Sequence, residues 1–252
     1  MSPIGDNSNP LGRIGTMEQD SSRRVAGTAA LALAVAFNVP YAVLAARFDY
    51  PGILREPAAE VLRTFQAGGP GLVLTWYAFA LAAMALVPVG LGLALAGGRM
   101  ARVPALAVAA GVLAALAGLT QAMGLLRWVM VVPGLAADGA AGSGAGEAGF
   151  ALLHAYAGVA VGEHLGMLLT AGFVAAMAAI HGAEGSRRLA ALGAVTAAAI
   201  AGGAMEGVAM ALGRDGGAFG MTTIAGYLLL TGWLAWAGVD LMRGGARRVA
   251  LA

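Results

Sequence analysis

The chain has 252 residues, of which 60% are hydrophobic and only 11% are charged, and its mean hydropathy is +0.80. A soluble domain carries about 25% charged residues, so this composition excludes a protein whose whole surface faces water. The 15 basic residues are all arginine with no aromatic stripe between them, which argues against nucleic acid as a partner. The absence of cysteine excludes disulfides, thiolate metal sites and a thiol nucleophile.

Apolar runs of about 20 or more residues alternate with glycine-rich or charged breaks, and each run can cross the roughly 30 Å hydrocarbon core of a bilayer. The sequence therefore predicts an all-α fold, a polytopic transmembrane helical bundle over residues 25–243. The predicted spans lie at about 25–47, 71–97, 103–132, 149–180, 189–212 and 218–242. We expect a disordered tail over residues 1–24, a flexible linker over 139–149 and a second tail over 244–252.

The connection between the first and second spans carries its own helical pattern. Pro57 suits the first turn of a helix, and Ala58, Val61, Leu62 and Phe65 repeat at i, i+3, i+4 and i+7. This spacing predicts a short amphipathic helix over residues 57–66, lying on the outer membrane surface. A well-packed loop and a lid over a site below it are alternatives that the pattern leaves open.

The arginines indicate the orientation of the bundle. Nine of them lie at one end of the predicted bundle. Arg23 and Arg24 precede the first span, and Arg99 and Arg102 separate the second from the third. Arg187 and Arg188 separate the fourth from the fifth, and Arg243, Arg247 and Arg248 follow the sixth. The positive-inside rule places this end, with both termini and both tails, in the cytoplasm. The alanine- and glycine-rich composition without lysine is typical of a GC-rich bacterial genome, so we expect a multi-pass protein of the bacterial cytoplasmic (inner) membrane.

Two glycine rows predict close helix packing. Gly158, Gly162 and Gly166 recur every four residues in the fourth span, and Gly203 and Gly207 form a matching pair in the fifth. Small residues at this spacing let two helices approach closely in a membrane. We expect the fourth and fifth spans to pack along these rows.

Ionisable and amide side chains interrupt the apolar spans at a similar depth. They are Asn38 in the first span, Gln121 and Arg127 in the third, His154, Glu163 and His164 in the fourth, and Glu206 in the fifth. Charged groups inside a bilayer cost at least about 2.5–3.5 kcal/mol, so they usually face protein or water and often mark function. The sequence therefore predicts an outward-facing polar pocket between spans three, four and five.

The partners of these residues are not fixed by the sequence. Arg127 and His154 are expected near the outer interface, where Glu206 could pair with either of them. Glu163 or His164 could meet Gln121 or Asn38 nearer the midplane.

Each of these residues also has a simpler structural interpretation. Arg127 could extend to the membrane surface, His154 could be a hydrogen-bonded interfacial residue, and Gln121 and Asn38 could serve interhelical hydrogen bonding. His181, at the cytoplasmic end of the fourth span, is expected to be solvated.

Five segments carry a family resemblance: FDYPGILREPAAEVL, WYAFAL, LRWVMVVP, HAYAGVAVGEHLG and IAGYLLLTGWLAWAGV. Together they resemble uncharacterised six-span bacterial membrane proteins that are catalogued as a domain of unknown function. The resemblance covers roughly residues 25–243. It implies a bacterial cytoplasmic membrane location and brings no reaction, cofactor or site residue.

Three classes of function fit these observations. The first is a protein, not demonstrably catalytic, whose pocket binds a small ligand, proton or ion. The second is a membrane enzyme or haem protein, with His164 as an axial ligand or with Glu163, Glu206 and a histidine holding a divalent metal ion. His154 and His164 are ten residues apart, about 15 Å along a straight helix, so they cannot share one metal ion. The third is a structural subunit whose glycine faces dock another membrane protein.

Overall fold

The computed structural model describes the backbone of residues 10–140 and 144–249 and the side chains of residues 17–140 and 144–244. This part of the chain is helical, and six of its helical stretches are long and apolar enough to cross a membrane. The predicted all-helical, six-span fold is confirmed.

Several of the spans are built from more than one helix. The first is α1 (Pro10–Phe48), and the second belongs to α2 (Ala58–Leu95). After the short α3 (Arg99–Arg102), the third span is α4 (Pro104–Met130), extended by α5 (Val132–Ala140). The fourth joins α6 (Gly144–Leu153), a π-helical segment (His154–Leu165) and α7 (Gly166–Ala183). The fifth contains α8 (Arg187–Gly203) and α9 (Glu206–Ala211), and the sixth is α10 (Gly217–Val249). Two 3₁₀ turns, Gly52–Arg55 and Ala96–Gly98, complete the connections.

The spans form a ring in chain order, because each packs along the next and α10 returns to pack along α1. We call the two ends of the ring the Arg55 end and the Arg99 end, after the residues in their connections. Residues such as Leu93, Phe173, Met177, Ile180 and Trp233 fill the interior toward the Arg99 end. A second cluster, which we call the aromatic cluster, lies at the Arg55 end. Its aromatic members are Phe48, Phe65, Trp76, Trp128 and Phe150.

The helix predicted in the first connection is present as the first part of α2. Gly69 has a positive φ of 61° and precedes Pro70, and together they kink α2 between this helix and the second span. Three residues of the predicted stripe, Val61, Leu62 and Phe65, are buried. They belong to the aromatic cluster rather than to a lipid-facing surface, so this helix caps the bundle.

Regular helix extends further than the sequence suggested. Residues 10–24, expected in a disordered tail, form the start of α1, and residues 245–249 continue α10. Residues 139–140 and 144–149 of the expected linker are also helical, whereas 1–9, 141–143 and 250–252 lie outside the described residues. Extending a helix costs much less than nucleating it, so these segments continue the neighbouring spans although they contain glycine.

The glycine rows pack against different neighbours from those predicted. A Cβ atom on Gly162 would lie 3.2 Å from the Cα atom of Gly124 in the third span, and one on Gly166 would lie 2.9 Å from Gln121. Gly203 faces Thr223 of the sixth span, and only Gly207 approaches the fourth span, at Val159. The prediction that the rows join spans four and five was wrong, because a glycine row permits close approach without specifying which helix approaches. Those two spans pack through α7 and α8 instead.

An ion-pair cluster closes the Arg99 end. Arg99 is only 2% exposed, and its Nε and Nη2 atoms donate to the carboxylate of Glu184 over 3.0 and 2.7 Å. Arg102 donates to the same carboxylate over 2.8 Å. His181 is buried beside Trp233, with ring centroids 5.9 Å apart, so the expectation that it is solvated was wrong. The cluster ties the connection before the third span to the connection before the fifth.

Replacing Gly162 with leucine should destabilise the bundle, because the side chain would enter the space occupied by Gly124. Overpacking of this kind costs about 1–3 kcal/mol, so we expect a lower apparent melting temperature in detergent. Gly232→Leu is the matched control, since a Cβ atom there meets no atom within 4 Å. Equal melting temperatures of the two variants would contradict the observed contact.

The pH dependence of stability should depend on Glu184. Burial disfavours its charged form, but the hydrogen bonds from Arg99 and Arg102 and the charge of Arg99 outweigh burial and hold the pKa of Glu184 below its usual range. A carboxyl with a lowered pKa stabilises the folded state above the usual pKa, and this stabilisation is lost as the pH falls through the lowered value. Acid should therefore destabilise the wild type more than Glu184→Gln, which is already less stable at neutral pH. Melting curves from pH 7 downwards test this, and parallel pH profiles would contradict it.

Candidate functional site

A cavity of about 160 Å³ lies inside the ring toward the Arg55 end. Spans one, two, three, four and six contribute to its wall, and Tyr50 and Pro51 of the first connection close part of it. Its aromatic lining comprises Phe37, Tyr41, Tyr50, Trp76, Phe79, Trp128 and Tyr227, and its polar lining includes Asn38, Gln121, Arg127, Glu163, Thr223 and Thr231. The sequence placed a pocket between spans three, four and five, but the fifth span contributes no lining residue among those described.

The segment HAYAGVAVGEHL forms part of this wall as a π-helix. At its end, the N–H of Gly166 reaches the carbonyl of Val161, five residues earlier. Gly158 and Gly162 line the cavity where the segment lies against α4, since a Cβ atom on Gly124 would be 2.8 Å from the Cα atom of Gly162. π-helical turns are rare and occur frequently at functional sites. Sequence periodicity did not reveal this segment.

Arg127 is the buried cation of the cavity, with 6% of its surface exposed. Its Nη1 atom donates to the carbonyl of Gly124, and its guanidinium carbon lies 5.2 Å from the ring centre of Trp128. Its Nη2 atom lies 3.4 Å from Nδ1 of His154, which must accept because a guanidinium only donates. The His154 ring stacks on Phe150 with centroids 5.6 Å apart. The alternative that Arg127 extends to the membrane surface is therefore wrong.

Arg55 joins the two glutamates that the sequence singled out. Its Nη2 atom lies 3.3 Å from Oε2 of Glu163 and 2.8 Å from Oε1 of Glu206, and its Nε donates to the same Glu206 oxygen over 3.0 Å. Burial disfavours the charged guanidinium, but the two carboxylates outweigh burial and raise the pKa of Arg55, which keeps it protonated. The suggested pairing of Glu206 with Arg127 or His154 was wrong.

Hydrogen bonds occupy the remaining predicted polar residues. His164 donates from Nδ1 to the carbonyl of Ala204 over 2.7 Å, which links the fourth span to the break between α8 and α9. Gln121 donates to Thr170 over 2.6 Å and Asn38 donates to Thr231 over 2.9 Å. Neither Gln121 nor Asn38 meets Glu163 or His164 as suggested, and their interhelical hydrogen bonds match the simpler interpretation.

The structure brings together four of the seven candidates around the cavity and leaves three outside its lining. Asn38, Gln121, Arg127 and Glu163 line it, whereas His154, His164 and Glu206 do not. Within residues 17–140 and 144–244, whose side chains are described, no three histidine, aspartate or glutamate side chains are placed to hold one metal ion. Glu163 and Glu206 share Arg55 instead.

A family profile described as Domain of unknown function (DUF4386) matches residues 25–238. The chain belongs to the DUF4386 family. This confirms the resemblance found in the sequence. The DUF4386 region contains the second to fifth spans, most of the first and sixth, the cavity and the Arg55 ion pairs. No curated protein and no solved structure matches the chain.

Sequence reasoning missed Arg55 and the aromatic wall of the cavity. Two glutamates at the same depth in neighbouring spans need a cation, and the first connection provides one in Arg55. The aromatic residues gave no such signal, because tryptophan near a membrane boundary is also typical of interface anchors.

Removing the guanidinium of Arg55 should destabilise the protein. Arg55→Gln would leave Glu163 and Glu206 without their shared cation, and hydrogen bonds to charged groups contribute about 1.5–3 kcal/mol. Arg63→Gln is the matched control, because Arg63 pairs with Glu60 at a site where its side chain is 73% exposed and the pair contributes little. Thermal unfolding in detergent should separate the two variants. A melting temperature unchanged in Arg55→Gln would contradict the ion pairs.

Proposed function

We propose that this protein binds a small, largely apolar molecule in the cavity at its Arg55 end. The observation that carries the proposal is the lining itself, in which apolar side chains, seven of them aromatic, form most of the wall and a few polar groups also line the space. Binding sites for small molecules have this composition, and the polar groups fix the orientation of the ligand.

Such a ligand would enter through one part of the cavity wall and be enclosed by another. Leu228 lines the cavity although 61% of its surface is exposed, so the wall reaches the outer face of α10. A molecule dissolved in the bilayer would enter past this side chain. Tyr50 and Pro51 enclose the space from the Arg55 end, and the Arg55 ion pairs hold their connection against the fourth and fifth spans.

The charge distribution supports an outward-facing cavity. Arg23, Arg99, Arg102 and Arg187 lie toward the end of the bundle opposite the cavity. The positive-inside rule would place that end in the cytoplasm of a bacterial cell, so the ligand would come from the outer half of the cytoplasmic membrane or from beyond it.

A brominated neutral probe tests the proposal, since bromine quenches nearby tryptophan fluorescence and Trp76 and Trp128 line the cavity. We expect 8-bromooctan-1-ol to quench the purified protein saturably. Ile224→Trp should raise its dissociation constant at least tenfold by filling the cavity. Val195→Trp, at a 58% exposed position of the fifth span outside the lining, is the control and should leave the dissociation constant unchanged.

Quenching that rises linearly and equally in all three proteins would show partition into the detergent and contradict the proposal. A Soret band or about one metal ion per chain, lost in His164→Ala, would favour a cofactor-bearing enzyme instead.

A further inference from the structure

We infer that the ligand of this cavity is an amphiphile whose anionic head group, a carboxylate or a phosphate, binds one edge of the Arg127 guanidinium. The inference rests on the proposed function and names its ligand class. The relevant edge is formed by the Nε and Nη2 atoms, whose N–H bonds point the same way and can hold two oxygen atoms of one anion.

Other arginines of this chain use the same edge to hold a carboxylate. Nε and Nη2 of Arg99 each donate to an oxygen of Glu184, and the same two atoms of Arg55 donate to Glu206. Nε and Nη2 of Arg63 donate to Glu60 over 3.2 and 2.6 Å. The pattern holds both at the exposed surface and in the buried cluster of the Arg99 end.

Arg127 departs from this pattern although it is buried. Its Nη1 atom is used by the Gly124 carbonyl, its Nη2 has only the long contact to His154, and its Nε is buried without a hydrogen-bond partner. Among the described side chains, no carboxylate lies within 4 Å of this guanidinium. The Trp128 ring offers the charge partial compensation but accepts no hydrogen bond from Nε.

Two further donors in the same wall lack acceptors. The indole Nε1 atoms of Trp76 and Trp128 are buried without partners, and the two rings stack with centroids 4.7 Å apart and an angle of 9° between their planes. Both residues line the cavity beside Arg127. An indole N–H only donates, so all three unsatisfied groups need an acceptor. Buried polar groups are rarely left unpaired, and an anion would supply the acceptors that these three donors lack.

The one carboxylate among the lining residues, that of Glu163, does not supply an acceptor to Arg127. Glu163 is held by Arg55 over 3.3 Å and lies more than 4 Å from the Arg127 guanidinium, so it gives that guanidinium no hydrogen-bond acceptor. The rest of the wall is mainly aromatic and aliphatic, as at Phe79 and Leu234. This wall fits the apolar body of a ligand whose head group is at Arg127.

The test compares matched eight-carbon probes by tryptophan quenching at pH 7.5 in the full-length protein. We expect 8-bromooctanoate to bind at least about tenfold more tightly than 8-bromooctan-1-ol, as a charged hydrogen bond to Arg127 requires. Arg127→Gln should remove this preference while keeping affinity for the alcohol. Arg63→Gln removes an exposed arginine outside the cavity and should keep the preference.

If Arg127→Gln does not fold, competition binding to the wild type still tests the charge of the head group. Octanoate or octyl phosphate should displace 8-bromooctanoate, and octylammonium should not. The stronger of the two anions then identifies the head group.

Equal binding of the alcohol and the carboxylate, or stronger displacement by octylammonium, would overturn the anionic head group and leave the proposed function intact. Displacement by inorganic phosphate as strong as that by octyl phosphate would overturn the amphiphile and indicate a free anion. Saturable binding of neither brominated probe would overturn the proposed function itself.

Discussion

The low dielectric of the bundle interior is the constraint on which this structure depends, because a charge buried there must be bonded by protein or by a ligand. Arg99 and Glu184 meet this requirement at one end of the ring, and Arg55 meets it at the other by joining Glu163 to Glu206. In both clusters the ion pairs bind one connection to another part of the chain, so they also hold the helices together at the two ends of the bundle. Arg127 is the buried arginine whose charge is left without a carboxylate among the described residues.

The cavity exists because the interior of the ring is filled unevenly. Large side chains such as Phe173 and Trp233 occupy the ring toward the Arg99 end. Toward the Arg55 end, the backbone of the π-helical segment lies against α4 at Gly124 and Gly162, where neither helix contributes a side chain to the contact. The stacked rings of Trp76 and Trp128 belong to the cluster that the α2 cap covers, and they also line the open space.

The number of spans, the helix in the first connection and the candidate polar residues followed from the sequence, because apolar length, i, i+3, i+4 spacing and charges in an apolar segment are local signals. The contact partner of a residue in another helix is not encoded by such a local signal. Glycine rows predicted close approach but gave the wrong neighbour for Gly162. The suggested partners of Glu163 and Glu206 were all residues of the spans, because Arg55 lies in a connection. The π-helical turn at 154–165 changes which residues share a face, and no apolar periodicity indicates it. The contact partners of these residues depend on which helices are neighbours around the ring, and the sequence does not give that information.

If the inference is right, a molecule other than this chain occupies the Nε–Nη2 edge of Arg127. The most direct measurement is an experimental structure of the protein extracted with its native lipids, at a resolution that separates side chains from bound molecules. We expect non-protein density within hydrogen-bond distance of Nε of Arg127 that continues along the aromatic residues of the wall, with Glu163 still paired with Arg55. A carboxylate of Glu163 turned away from Arg55 and seated on Arg127, with the cavity filled by protein side chains, would contradict it.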